Sequence, residues 1–367
     1  MRQPGIPLGN IAGIGLHIHL SLLWMASLLV LTMADHYYPG RFPGISTGAA
    51  LFWASLTALA FFASIVWHEL AHAFVARYFG LEVKGISLDF LGGMTEISEE
   101  PRRPHQEFFL ALAGPLSTLL LAAGAGLGSY ALGTHSHIGS LFYWLGLVNV
   151  SLAALNLIPA FPLDGGRMLR AGVWYLSGNL IGGTRVAVRS GQAFALMFAL
   201  WGGGAILLGD FLTGAFTLFI AWYLWSSGQG HVAMTQRRTA LELVPLAPLV
   251  QNQLRLNADW PLVYAADVMT LNLTFIAPVM KDAQVVGVFL LDHLAGVPRL
   301  NWGTVRVGHL MRPLGGVPKI DLNSNVFQAL LAIEQADTHY ALVTSEGGPV
   351  GVAARRDLIH LARQYGD

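Results

Sequence analysis

Two histidines four residues apart, His68 and His72, stand with Glu69 in the stretch Phe61-Phe62-Ala63-Ser64-Ile65-Val66-Trp67-His68-Glu69-Leu70-Ala71-His72. On a helix, residues at this spacing share a face one turn apart, so both imidazoles can reach one ion at about 2.0–2.1 Å. Glu69, one residue round from His68, is placed to hydrogen-bond a water on that ion and take its proton. Metal-assisted hydrolysis is the chemistry such a pattern serves. Two ligands leave a zinc site incomplete, because catalytic zinc ordinarily has three protein ligands and an open fourth position. The next ionisable residue in or beside an apolar stretch is Asp164, in Asn156-Leu157-Ile158-Pro159-Ala160-Phe161-Pro162-Leu163-Asp164-Gly165-Gly166-Arg167. Pro159 and Pro162 interrupt helical hydrogen bonding, and the glycine pair permits close backbone approach. Alone, Asp164 reads as an interfacial helix-end residue paired with Arg167. Beside an unfinished metal site it reads as the third ligand.

The elements that must position these residues are membrane helices. Of 367 residues, 54% are apolar and 11% charged, less than half the charged share of an ordinary soluble protein. Mean hydropathy is +0.54. Acidic and basic residues balance at 21 each, so no polyanionic partner is implied and a nucleic-acid binder is disfavoured. Cysteine is absent, which excludes disulfides, thiolate metal sites and thiol nucleophiles. Residues 3–34, 42–68, 108–163, 190–209 and 211–236 lack Asp, Glu, Lys and Arg, and about 20 apolar residues span a bilayer. Six spans are predicted, near 15–33, 50–79, 108–131, 140–160, 191–208 and 211–227. The first is read as a retained span rather than a cleaved signal, since no small-x-small cleavage site follows it. Within it His17 and His19 point to different helix faces and read as interfacial anchors. Arg77, Lys84, Arg102 and Arg103 fall between spans two and three, and Arg167, Arg170, Arg185 and Arg189 between spans four and five. By the positive-inside rule these loops and both termini are cytoplasmic. A carboxylate and two histidines inside an apolar span carry a desolvation cost of several kcal/mol unless paired or metal-bound.

The two segments together resemble the site-2 protease family of intramembrane zinc metalloproteases. HExxH lies in one span, and N-x-x-P-x-x-P-L-D-G-G lies in a later one. Gly92-Gly93 within Ile86–Ile97, and Ala113-Gly114-Pro115 at the opening of span three, agree with that family. The resemblance covers about residues 10–230. It implies that His68, His72 and Asp164 ligate one zinc and that Glu69 is the general acid/base. Asn156 would position substrate or stabilise the oxyanion. The partly alternating segment Ile86–Ile97 suggests a short membrane-associated β-hairpin around Gly92 and Gly93, whose edge would pair with an unwound single-pass transmembrane substrate. An ordinary cytoplasmic hairpin remains open, because Asp89 and Glu96 suit water.

Charge density divides the chain. Residues 1–235 hold 20 charged side chains and the shorter stretch 236–367 holds 22, so the second reads as a cytoplasmic appendage. It contains a repeat at an offset of 64: Val286-Gly287-Val288 recurs as Val350-Gly351-Val352, and Asn257-Ala258-Asp259 meets Asp321-Leu322-Asn323. Two α/β modules, near 241–300 and 305–365, are predicted. Their borders resemble those of cystathionine-β-synthase (CBS) modules, which pair, bind adenosine nucleotides, and would offer a homodimer contact. Ala354 replaces the Ser or Thr common at the ribose, and His293 aligns with Asp357, which leaves Asp357 as one candidate nucleotide contact. The fold expected is thus a multi-pass α-helical membrane protein with a cytoplasmic α/β CBS pair. Two alternatives stay open at this point: a CBS-regulated transporter or channel, and a metal-binding homologue that does not cleave.

Overall fold

Apolar sequence length sets the helices of the first unit. They are α1 (Leu20–Thr32), α2 (Thr47–Tyr78), α3 (Pro104–Leu132), α4 (His137–Asn156), α5 (Asp164–Ser177), α6 (Leu180–Leu207) and α7 (Phe211–Glu242). The computed structural model describes residues 5–89, 92–98, 100–251, 253–315 and 317–364. Its two compact units are Met1–Val232 and Ala233–Asp367.

Side-chain caps start the helices. Ser46 accepts from the Ala49 amide at 3.3 Å, Ser136 from Gly139 at 3.0 Å and Asn179 from Gly182 at 2.9 Å, each satisfying a donor that the first turn would leave unpaired. At 1.5 Å per residue the 32 residues of α2 run about 48 Å, well beyond a hydrocarbon core of about 30 Å. Five helices among the described residues are long and apolar enough to cross a membrane: Leu20–Arg41, which joins α1 to the turns after it, and α2, α3, α4 and α6. Trp24, Leu28, Leu120, Leu127, Leu200 and Leu207 are each more than 60% exposed, a surface that suits lipid rather than water.

Two expectations are corrected here. The sixth expected span, 211–227, is helical throughout as part of α7, which is not among those five helices. Arg185 and Arg189 lie inside α6, whose polar first turns precede its apolar part, so they are helical rather than in a loop. The first span begins at Leu20, because residues 6–18 form strands β1 (Ile6–Ile11) and β2 (Ile14–Ile18). Glycine at positions 9, 13 and 15 disfavours helix, and Ala12 and Gly13, with φ of 52° and 77°, make the two-residue turn that suits a tight hairpin. His17 is accordingly a strand residue, facing Ser87 across the ladder.

These strands join β3 (Val83–Asp89) and β4 (Gly92–Ile97) in a sheet of order β1-β2-β3-β4, parallel between β2 and β3 and antiparallel elsewhere. Alternate residues Ile14 and Leu16, and Ile86 and Leu88, are buried with Ile65, Leu70 and Ala73 of α2. The sheet therefore lies on the helix that carries both histidines, with β4 as an outer strand.

In the second unit the repeat is structural. Strands β6 (Ile276–Lys281) and β7 (Gln284–Leu290) and helix α8 (Leu262–Leu271) recur, 64 residues later, as β10 (Tyr340–Ser345), β11 (Gly348–Ala354) and α9 (Val326–Gln335). A short parallel strand precedes each helix, β5 (Leu256–Asn257) and β9 (Lys319–Asp321). Strand β8 (Arg312–Pro313) closes the first sheet. The copies diverge afterwards: a 3-10 turn over Leu291–Gly296 stands where α10 (Arg355–Gln364) stands in the second.

Each core is completed by a segment from outside its own copy. Leu241, Leu246 and Val250 pack with Val326, Ile333 and Val343 of the second module, and Val326 donates to the Val244 carbonyl at 3.0 Å. Val297, Val305 and Val307 pack on the first. Leu246→Ala, at a position with no exposure, is expected to cost about 2–5 kcal/mol. Hydrogen exchange on the whole protein should then rise in β9, β10 and β11 more than in β5, β6 and β7.

Candidate metal centre

The centre is assembled from α2, α3 and the start of α5. His68, Glu69 and His72 lie in the sixth and seventh turns of α2 and are 5–7% exposed. Asp164 opens α5 and is 8% exposed. The loop before it can fold back only because of the glycines after it: a Cβ at Gly165 would meet the carbonyls of Leu157 and Ile158, and one at Gly166 the backbone of Ala160.

The tautomers follow from the hydrogen bonds. Thr118 donates its hydroxyl hydrogen to the Gly114 carbonyl at 2.9 Å, so its oxygen accepts from His68 Nδ1 at 2.8 Å. The Leu110 carbonyl has only lone pairs to offer and accepts from His72 Nδ1 at 2.7 Å. Both hydrogens sit on Nδ1, and both Nε2 atoms present lone pairs. Those atoms face each other at 3.2 Å and face Asp164 Oδ2 at 3.2 and 3.3 Å. Three electron-pair donors meeting in a buried space require a cation. For ligands at about 2.0–2.1 Å the edge of a tetrahedron is about 3.3 Å, which the three separations match. Among the described residues this is the one group of three His, Asp or Glu side chains that could hold a metal ion. The donor set fits zinc.

Two close approaches shape the surroundings. A Cβ on Gly114 would strike the Nε2 atoms of both histidines, and one on Gly93 would strike the Glu69 carboxylate. Gly114 and Pro115 lie in the third turn of α3, which starts at Pro104 and not near 108. Glu69 is held by Thr95 of β4, whose hydroxyl lies 2.7 Å from Oε2. Gly92 and Gly93 open β4, while Phe90 and Leu91, within the expected hairpin segment, lie outside the described residues. Asn156 ends α4, and its amide donates to the Leu152 carbonyl of its own helix at 3.1 Å. Arg167 does not pair with Asp164; its Nε is 4.0 Å from Glu107 instead. Thr118, Thr95 and the Leu110 carbonyl carry no sequence signal of their own, since a mid-span threonine usually bonds its own helix.

Residues 56–135 and 128–200 match the model of peptidase family M50, and residues 307–363 match the CBS domain model. The chain carries a peptidase family M50, site-2 protease, domain and a CBS domain. The protein of Synechocystis named "Putative zinc metalloprotease sll0528" is 29% identical over 355 residues, covering 94% of this chain and 92% of its own. Zinc metalloprotease MJ0392 of Methanocaldococcus jannaschii is 25% identical over 365 residues, 96% of this chain and 95% of the relative. A solved site-2 protease from the same archaeon aligns at 27% identity with a TM-score of 0.41, over 60% of this chain and 94% of that one. The M50 match spans α2 to most of α6 and so includes His68, Glu69, His72 and Asp164. It supports a membrane metalloprotease of the site-2 type.

Removing the partner of His68 while keeping its shape tests the tautomer argument. Thr118→Val is expected to weaken zinc binding about 10–100-fold, read by chelator competition on protein in detergent. Thr118→Ser, which keeps the hydroxyl, should restore it.

Proposed function

We propose that this chain is a zinc endopeptidase that cuts single-pass membrane proteins within or near the bilayer. The observation that carries the reading is the convergence of Asp164 on His68 and His72 beside Glu69, the last three lying on a helix long enough to span a membrane. Zinc, when bound by the three, would polarise the scissile carbonyl and acidify a water. The remaining steps belong to the chain's own residues. Glu69, oriented by Thr95, takes a proton as the water oxygen adds to the carbonyl carbon. It returns that proton to the nitrogen as the C–N bond breaks. Asn156, eight residues before Asp164, is the candidate to hold the developing charge on the carbonyl oxygen.

A helical substrate hides its carbonyls in its own hydrogen bonds and must unwind to be cut. Outer strand β4 is the candidate edge for such an extended segment, and Gly93 and Thr95 of this strand lie against Glu69. A substrate strand added there would run past the general base. Basic residues around α2, α3 and α5 favour a cytoplasmic position for these segments, both termini and the appendage. Glu69→Gln is expected to keep its zinc content while losing cleavage of a transmembrane substrate panel by about 10²–10⁴-fold. Substantial residual proteolysis would argue against the mechanism.

The appendage is proposed to regulate the enzyme, with an adenosine nucleotide as its ligand. Support comes from the CBS match and from Asp357, exposed in the first turn of α10. Its counterpart His293 is different in kind, because burial and then nearby Arg312 push its imidazole below the ordinary range. The second module thus supplies the carboxylate. Titration calorimetry of the full protein with ATP, ADP and AMP should give saturable binding that Asp357→Ala weakens. A flat titration removes the nucleotide from this reading.

A further inference from the structure

Six residues beyond Asp164, Arg170 is 5% exposed and meets Glu107 of α3, which is 1% exposed. Arg170 Nε donates to Glu107 Oε1 at 2.6 Å, and the Nη2 of the same guanidinium pairs with that oxygen. Arg167 Nε lies 4.0 Å from it. The guanidinium also lies over the Phe161 ring at 5.1 Å, and Phe161 stacks on His231 of α7 at 4.9 Å. A buried pair of this kind is weak evidence for stability, since the desolvation of two charges offsets most of their attraction.

Its place in the chain says more. Glu107 lies one turn before Leu110, the carbonyl that holds His72 Nδ1. Arg170 belongs to the helix that Asp164 opens, and Phe161 lies three residues before Asp164. Asp164 is held by nothing else that fixes it: among the described residues its polar side-chain contacts are to His68 and His72 alone. Gly165 and Gly166 add no side chains. The distance from Asp164 to the histidines therefore depends on where α5 docks, and Arg170 docks it from both flanks. We infer that Glu107 and Arg170 are positioning residues for the metal centre, a clamp that sets the carboxylate ligand against the His68–His72 pair. This rests on the proposed zinc site.

The test separates position from stability. Full-length protein in detergent is assayed for zinc affinity by chelator competition, for the visible spectrum of its cobalt(II) form, and for thermal unfolding. Wild type that takes up no zinc would overturn the proposed metal site, and this inference with it. In Glu107→Leu with Arg170→Met, apolar side chains replace both charges, so the packing survives while the directional bonds are lost. The inference expects unfolding close to wild type, zinc affinity reduced about tenfold or more and altered cobalt bands. A folded double variant with wild-type affinity and bands overturns the clamp. Arg170→Lys keeps the charge but gives up the planar fork. It is expected to show a smaller loss in affinity and an intermediate spectrum, and unchanged values there also overturn the clamp, whether or not the double variant folds.

Discussion

Three lone pairs pointed at one another in an apolar interior are the condition on which the rest of the membrane unit depends. In surroundings of low dielectric an uncompensated carboxylate carries a heavy penalty. The chain answers by fixing both imidazole tautomers from behind, so that the mutual repulsion is reserved for a cation. Thr118 and the Leu110 carbonyl do this from α3, two turns apart on the helix that packs beside α2. Gly114, between them, leaves the histidine faces clear. One helix therefore supplies the two histidine ligands and a second fixes their tautomers.

The carboxylate poses a different problem, because it must arrive on irregular backbone beside a buried centre. Such backbone survives only where protein covers it. The turn from Leu157 to Leu163 is covered by its own succeeding helix: Ala160 and Phe161 are buried, and Gly165 and Gly166 fit beneath the carbonyls of Leu157, Ile158 and Ala160. A side chain at either glycine would lift Asp164 away from the histidines. The same economy of space governs Gly93, where β4 approaches the general base. Close approach of backbone, not conformational freedom, explains the glycines around this centre.

Most of the centre was legible because ionisable residues are rare in the first 235 positions. The stretch free of charge from 108 to 163 is bracketed by two acids, Glu107 and Asp164, and both are buried in the assembled site. The spacing of His68 and His72 gave one face of a helix, and Asp164 followed from what that face lacked. Glu107 stood at the other bracket with an equal claim, but its partner Arg170 is 63 residues away and no local pattern joins them. The amino-terminal hairpin was missed for a local reason. Ile6, Ile11, Ile14 and Ile18 lengthen the apolar run that becomes α1, whereas the turn at Ala12-Gly13 folds residues 6–18 into the hairpin of β1 and β2 ahead of that helix. Charge-free apolar length located the helices, while their ends were set by caps such as Ser46 and Asn179 that hydropathy does not weigh.

In the appendage the repeat was visible in sequence, yet what makes the two copies one object was not. An internal offset shows that the modules share a fold and says nothing of which segment fills which core. Leu241, Leu246 and Val250 precede β5 of the first copy and pack in the second, whereas Val305 and Val307 precede β9 of the second and pack in the first. Val288, Tyr340 and Val352 then join the two copies in a common cluster. Cutting between the copies would strip apolar side chains from both cores, and a module of about 60 residues has little burial to spare. The pair therefore packs as one unit in which segments of each copy complete the core of the other.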